Sequence, residues 1–90
     1  MDRTVITVVG KDTVGIIAKV CTYLASNKVN ILDITQTITG GFFNMMMVVD
    51  TTDSSKEFDV LSEELSQIGD ELGVTIKAQN EKIFDVMHRI

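Results

Sequence analysis

The sequence predicts an α+β fold: a ferredoxin-like βαββαβ sandwich with two helices on one face of a four-stranded antiparallel sheet. Three observations predict it. Runs of β-branched residues alternate with two segments whose apolar positions recur every three or four residues. Gly40-Gly41 separates two strand-like runs, which is the strongest hairpin signal in the chain. There is no proline and no low-complexity stretch, so connections are short and ninety residues make one domain. Right-handed crossovers then give the strand order 4-1-3-2, with the second strand on an edge.

Taken in order, Thr4 to Val9 is the first strand. It is apolar on both faces, Ile6 and Val8 on one and Val5 and Val9 on the other, which suits a central position. Gly10-Lys11-Asp12-Thr13-Val14-Gly15 is a loop that opens a helix, with Asp12 or Thr13 as N-cap. Ile16, Ile17, Val20, Cys21 and Leu24 form its apolar stripe, and Asn27 is a left-handed stop. Asn30 to Thr39 and Phe42 to Asp50 are the hairpin strands. The Gly-Gly turn, with positive φ at both positions, sets Ile38 opposite Phe43, Gln36 opposite Met45, Ile34 opposite Met47 and Leu32 opposite Val49. Seven of these eight are apolar, so this is the expected core face. The opposite face is mixed, and Phe42, Met46 and Val48 on it call for a cover.

Ser54 and Glu57 form a capping-box pattern. Phe58, Leu61, Leu65, Ile68 and Leu72 follow as the stripe of the second helix. Gly69 weakens its last turn and Gly73 stops it. Val74, Ile76 and Ala78 alternate with polar residues as a half-buried last strand. From Asn80, the residues Ile83, Phe84, Met87 and Ile90 return to helical spacing. They predict a C-terminal helical extension over residues 80–90 of a domain covering 1–79, covering either the second sheet face or a partner subunit.

Composition narrows the function. The hydrophobic share of 44% and charged share of 23% are those of a folded chain. A chain of this size buries only about 60–65% of its unfolded surface, so its stability is marginal without a partner. Thirteen acids against eight bases give a net charge of −5, which disfavours nucleic acid and anionic membranes. One cysteine excludes a disulfide framework and multi-cysteine metal sites. No apolar run approaches the roughly 20 residues of a membrane span. The N-terminus lacks the pattern of a signal peptide, so the expected compartment is the cytoplasm.

Catalytic chemistry is not expected, and no cofactor or metal is implied. His88 reads as a solvated tail residue with no nucleophile near it. Cys21 lies on an apolar stripe and reads as an inert, buried thiol. Glu63-Glu64 and Asp70-Glu71 are neighbours on a helix, about 100° apart, and read as solvated faces. Met45-Met46-Met47 invites a soft-metal reading. Alternation defeats it, because the outer two point one way and the middle one the other.

What remains is the segment from Gly10 to Ile16. Its glycines allow close backbone approach, and the amides at the start of the next helix suit a carboxylate. Asp12 can receive an ammonium, and Asn30 can donate and accept. Carboxylate and ammonium together describe an amino acid. The alternative from the residues alone is a connection in which Asp12 only caps a helix.

The runs Val5 to Ala18, Asn27 to Gln36 and Phe43 to Asp50 resemble an ACT domain. The Gly-x-Asp-x-x-Gly-Ile element carries the likeness, followed at the right distance by Asn-Ile-x-Asp-Ile. The resemblance runs from about Thr4 to Gln79. It is strongest to small stand-alone ACT-domain proteins, which are similar to one half of the glycine cleavage system transcriptional repressor. It implies a non-enzymatic regulatory module that binds an amino acid or similar molecule and pairs side by side as a homodimer, with a tetramer left open. Carried across, the ligand-binding positions are Gly10, Lys11, Asp12, Thr13, Val14, Gly15 and Ile16 of one subunit, and Asn30 and Ile31 of its partner. The alternative is a protein-interaction module in which the same dimer is a scaffold without a small ligand. What protein the module would regulate stays open.

Overall fold

The computed structural model describes residues 2–11 and 13–81. Its elements are β1 (Arg3–Lys11), α1 (Ile16–Ser26), β2 (Asn30–Thr39), β3 (Phe42–Asp50), α2 (Phe58–Leu72) and β4 (Val74–Asn80). The sheet is antiparallel throughout, in the order β2-β3-β1-β4, which is 4-1-3-2 viewed from the other edge. β1 continues past Val9 because Gly10 and Lys11 find partners in Phe43 and Phe42.

The core lies between the sheet and the two helices. Ile6, Val8, Met45, Met47, Val49 and Ile76 face Ile16, Val20 and Leu24 of α1 and Leu61 and Leu65 of α2. The predicted stripes therefore seat as i, i+4 rows. Ile17, one step around α1 from Ile16, is exposed on the side facing β2. The methionine run splits as alternation requires: Met45 and Met47 are buried and Met46 is exposed. On the face away from the helices, Val5 is buried, whereas Val9, Phe42 and Met46 are exposed.

The hairpin turn has φ of 57° at Gly40 and 82° at Gly41, the positive pair that two-residue turns demand. Three predicted pairs stand: Ile38 with Phe43, Gln36 with Met45 and Ile34 with Met47. The fourth does not. A bulge between Ile31 and Asp33 sets Ile31, not Leu32, opposite Val49. An extra residue near the end of an edge strand costs little pairing and cannot be read from alternation. The predicted core face is core only on β3. On β2, Ile34 is 40% and Ile38 57% exposed, because the helices cover the other three strands and leave this edge bare.

The helix starts also differ from expectation. α1 begins at Ile16 behind Gly15 (φ 93°) with no side-chain cap, and the Thr13 hydroxyl donates to the Lys11 carbonyl at 3.2 Å instead. Asp12 lies outside the described residues. At the other end Asn27 has φ −105°, and the left-handed position is Lys28 at φ 60°. The Asn27 side chain donates to the Tyr23 carbonyl, tying down the helix end from a buried position. The capping box does not form. Ser54 closes a local turn with Lys56, donating to its carbonyl at 2.8 Å and accepting from its amide at 3.2 Å, and α2 starts only at Phe58. A serine offers the backbone this local alternative wherever chain direction favours it. The predicted terminal helix and His88 fall mainly on residues 82–90, outside the described residues; Asn80 itself closes β4.

Candidate functional site

β1 runs up the centre of the sheet and ends at Lys11, level with Phe42 and, beyond it, Thr39 of β2. The chain then turns through Thr13, Val14 and Gly15 into α1. The first backbone bond of that helix runs from the Lys19 amide to the Gly15 carbonyl, 2.9 Å. The amides of Ile16, Ile17 and Ala18 therefore lie outside the helix's own ladder, at its partly positive end.

A cleft of about 250 Å³ opens between this turn and β2. Thr13, Gly15 and Ile17 line one wall, Gln36 and Ile38 the other, and the buried ring of Phe43 lies at the base. The volume suits a ligand of a few heavy atoms.

The predicted site residues separate into two groups. Gly10 and Lys11 belong to β1 rather than to a loop. Gly10 is required by the neighbouring strand: a Cβ there would stand 2.8 Å from Val74 Cγ1 and 2.9 Å from Val74 Cα. Thr13 and Gly15 line the cleft, while Val14 is 97% exposed. The Ile16 side chain is in the core, so only its backbone can serve a ligand. Asn30 and Ile31 are at the opposite end of the sheet. Asn30 pairs with Asp50 and Asp50 with Arg3, whereas Ile38 pairs with Phe43 and Phe43 with Gly10. Eight positions of β2 at about 3.3 Å each put roughly 26 Å between the two groups within one chain.

Gln36, Ile38 and Phe43 were not expected at the site, although the hairpin register already carried the signal. It pairs Ile38 with Phe43 and marks Gln36 as the one polar member of an apolar row, while the pairing of β1 with β3 brings Phe43 to Gly10.

A second polar cluster joins the helices. The Tyr23 hydroxyl donates to Glu64 Oε1 at 2.7 Å, Lys56 Nζ donates to the same oxygen, and the ammonium lies 5.8 Å from the Tyr23 ring centroid. Glu64 is thus bound and half-buried rather than part of a solvated face, while Glu63 is exposed. The hydrogen bond from Lys56, then that from Tyr23, holds the Glu64 carboxyl below its ordinary range. Burial, then the bond to Glu64 and its charge, pushes the Tyr23 phenol well above its ordinary value of 10.0. The signs follow by linkage. Glu64's contribution is present above its unfolded value and is lost as pH falls through its lowered one. Tyr23's is present below 10 and is lost as pH rises beyond it. Tyr23 is the only tyrosine, so phenolate absorbance reads it directly. The native protein is expected to ionise it only well above pH 10, and Glu64→Gln to bring that midpoint down towards 10. A native midpoint at the ordinary value would mean that neither the burial of Tyr23 nor its bond to Glu64 persists in solution.

Among the described residues no group of three or more His, Cys, Asp or Glu could hold a metal ion. No helix among them is long and apolar enough to cross a membrane. Cys21 is partly buried against the core.

The family model for the ACT domain matches residues 2–79. The chain is 56% identical to a UPF0237 protein of Bifidobacterium longum over 90 residues, covering 100% of both. It is similar to an ACT domain protein from Streptococcus pneumoniae of solved structure, with a TM-score of 0.81 and 41% identity over 92% of this chain and 93% of that one. A proposed glycine cleavage system transcriptional repressor shares the fold, with a TM-score of 0.77 and 23% identity over 88% of this chain and 45% of that one.

Proposed function

The chain belongs to the ACT-domain family of regulatory small-molecule-binding domains, and from that premise we propose that it is a non-enzymatic, homodimeric amino-acid sensor of the cytoplasm. One observation carries the reading: the two halves of the expected site lie at opposite ends of β2, and β2 is an open edge. An antiparallel pairing of β2 with the β2 of a second copy, about a two-fold axis near Thr35, joins them. It sets Asn30 of one copy level with the turn after Thr39 of the other, beside the Gly10–Ile16 segment. The same pairing satisfies the unpaired backbone of the edge and lays the exposed Ile34 and Ile38 against the second copy.

In this arrangement the ligand carboxylate takes the amides of Ile16, Ile17 and Ala18. Its ammonium takes Asp12, the one acidic side chain of the 10–16 segment. Asn30 and Ile31 of the partner subunit close the site. The ligand then favours the dimer geometry in which both halves meet, and only by its differential affinity for that geometry.

A thermal-denaturation screen of the common amino acids tests this. A true ligand at 100 times its Kd is expected to add about 2.7 kcal/mol to the wild type and far less to Asp12→Ala. Equal stabilisation of both proteins, or none by any amino acid, would count decisively against it.

The sheet face away from the helices favours a second reading. Val9, Phe42 and Met46 are exposed there together, as on a protein-interaction scaffold. Partner binding that survives Asp12→Ala and is lost in Met46→Asp would select it.

A further inference from the structure

We infer that Gln36 reads the side chain of the ligand, and that the class it selects is an α-amino acid bearing one uncharged hydrogen-bonding group, a hydroxyl or a carboxamide. The inference rests on the amino-acid reading above and narrows it.

Gln36 interrupts the row Ile34, Gln36, Ile38, whose cross-strand partners Met47, Met45 and Phe43 are all buried. Packing does not ask for an amide there, because its neighbours along and across the sheet are apolar. Nor does the fold of one copy depend on it, because the residue is exposed. Its place in the cleft gives it a different use. It stands on the β2 wall, across from the turn whose following amides would hold the carboxylate. A ligand anchored on those amides therefore directs its side chain towards β2.

The described lining of that cleft carries no charged side chain. Ile17, Ile38 and Phe43 are apolar, and the Thr13 hydroxyl already donates to the Lys11 carbonyl. The Gln36 amide both donates and accepts. A charged ligand side chain entering here would shed water and meet no countercharge among the described lining residues. A purely apolar one would cover the Gln36 amide and offer it no bond. A hydroxyl or carboxamide avoids both losses. In a cleft this open, each loss corresponds to a factor of about ten in affinity.

The test is titration calorimetry of the wild type, Gln36→Met and Gln36→Glu with L-serine, L-threonine, L-asparagine, L-valine, L-leucine, L-aspartate and L-lysine. The wild type is expected to bind one or more of the first three about tenfold more tightly than the last four. Gln36→Met, close in volume but unable to bond, is expected to erase that margin and bind L-valine or L-leucine at least as well. Gln36→Glu is expected to gain L-lysine. If the wild type binds a charged or purely apolar amino acid best, or if both variants keep the wild-type ranking, Gln36 is not the selector and the sensor reading stands without it. If no amino acid binds the wild type, the sensor reading itself falls, and this inference with it.

Discussion

Gly69→Val is expected to remove about 3 kcal/mol of folding stability, a large share of the total for a domain of this size. Local propensity points the other way. Glycine inside a helix costs roughly 1 kcal/mol relative to alanine, so a side chain here ought to help. Packing decides the sign. A Cβ on Gly69 would stand 2.7 Å from the Val74 carbonyl oxygen, 3.1 Å from Ile76 Cγ1 and 3.2 Å from the Ile76 amide. Two of the three are backbone atoms of β4, which cannot rotate aside. β4 is also held in the sheet by its pairing with β1, where Val74 lies so close to its partner Gly10 that a Cβ there would come within 2.9 Å of its Cα. Val74 is thus wedged against two glycines, one in the central strand and one in α2. Gly69→Ala is expected to lose about 1 to 2 kcal/mol, the overpacking loss less the helix gain. Urea unfolding measures both. A stability gain for the alanine variant would show that α2 lifts from β4 at no cost.

Ile34→Asp is expected to convert a dimer into a folded monomer. Ile34 is 40% exposed in a single copy, so a carboxylate there costs one chain little. In a two-fold pairing of β2 near Thr35, it would bring two like charges close across the axis and replace two apolar contacts. The combined loss is on the order of 3 kcal/mol, about a hundredfold in the dimer constant. In solution the wild type is expected to travel at twice 9.9 kDa and the variant at 9.9 kDa. The unfolding midpoint of the variant should also lose the dependence on protein concentration that an associating chain shows. A wild type that is monomeric at all concentrations would remove the basis for a shared site. A variant that stays dimeric would place the interface away from β2.

The two predictions probe different levels of legibility. The hairpin and both helices were readable because they rest on short-range rules, and the strand order because right-handed crossovers leave few ways to arrange a βαββαβ chain. Side chains alternate along a strand, helical rows recur at three and four, and a Gly-Gly pair permits a tight turn. Gly69 shows where such rules stop. Its neighbours in sequence mark it only as a weak point of a helix, and the reason for its presence is a strand reached after the chain has turned back. Glu64 is similar: one residue from Glu63 along the helix, it is separated from it by contacts with Tyr23 and Lys56.

The candidate site divides the same way. The segment from Gly10 to Ile16 was recognisable from the identity of adjacent residues. Its opposite wall was not, because Gln36 and Ile38 reach it only through the hairpin register, and Phe43 through β1.

Residue order was therefore enough for the four strands and two helices between Arg3 and Asn80 and for the buried rows of α1, α2 and β3, since each follows from backbone geometry over a few residues. Folding in three dimensions settled the rest: the bulge that moves Leu32 off Val49, the bare inner row of β2, the wedge around Val74, and the distance that keeps Asn30 from the first turn. Those outcomes depend on close packing and backbone pairing between distant segments, and neither force acts until the chain has closed on itself.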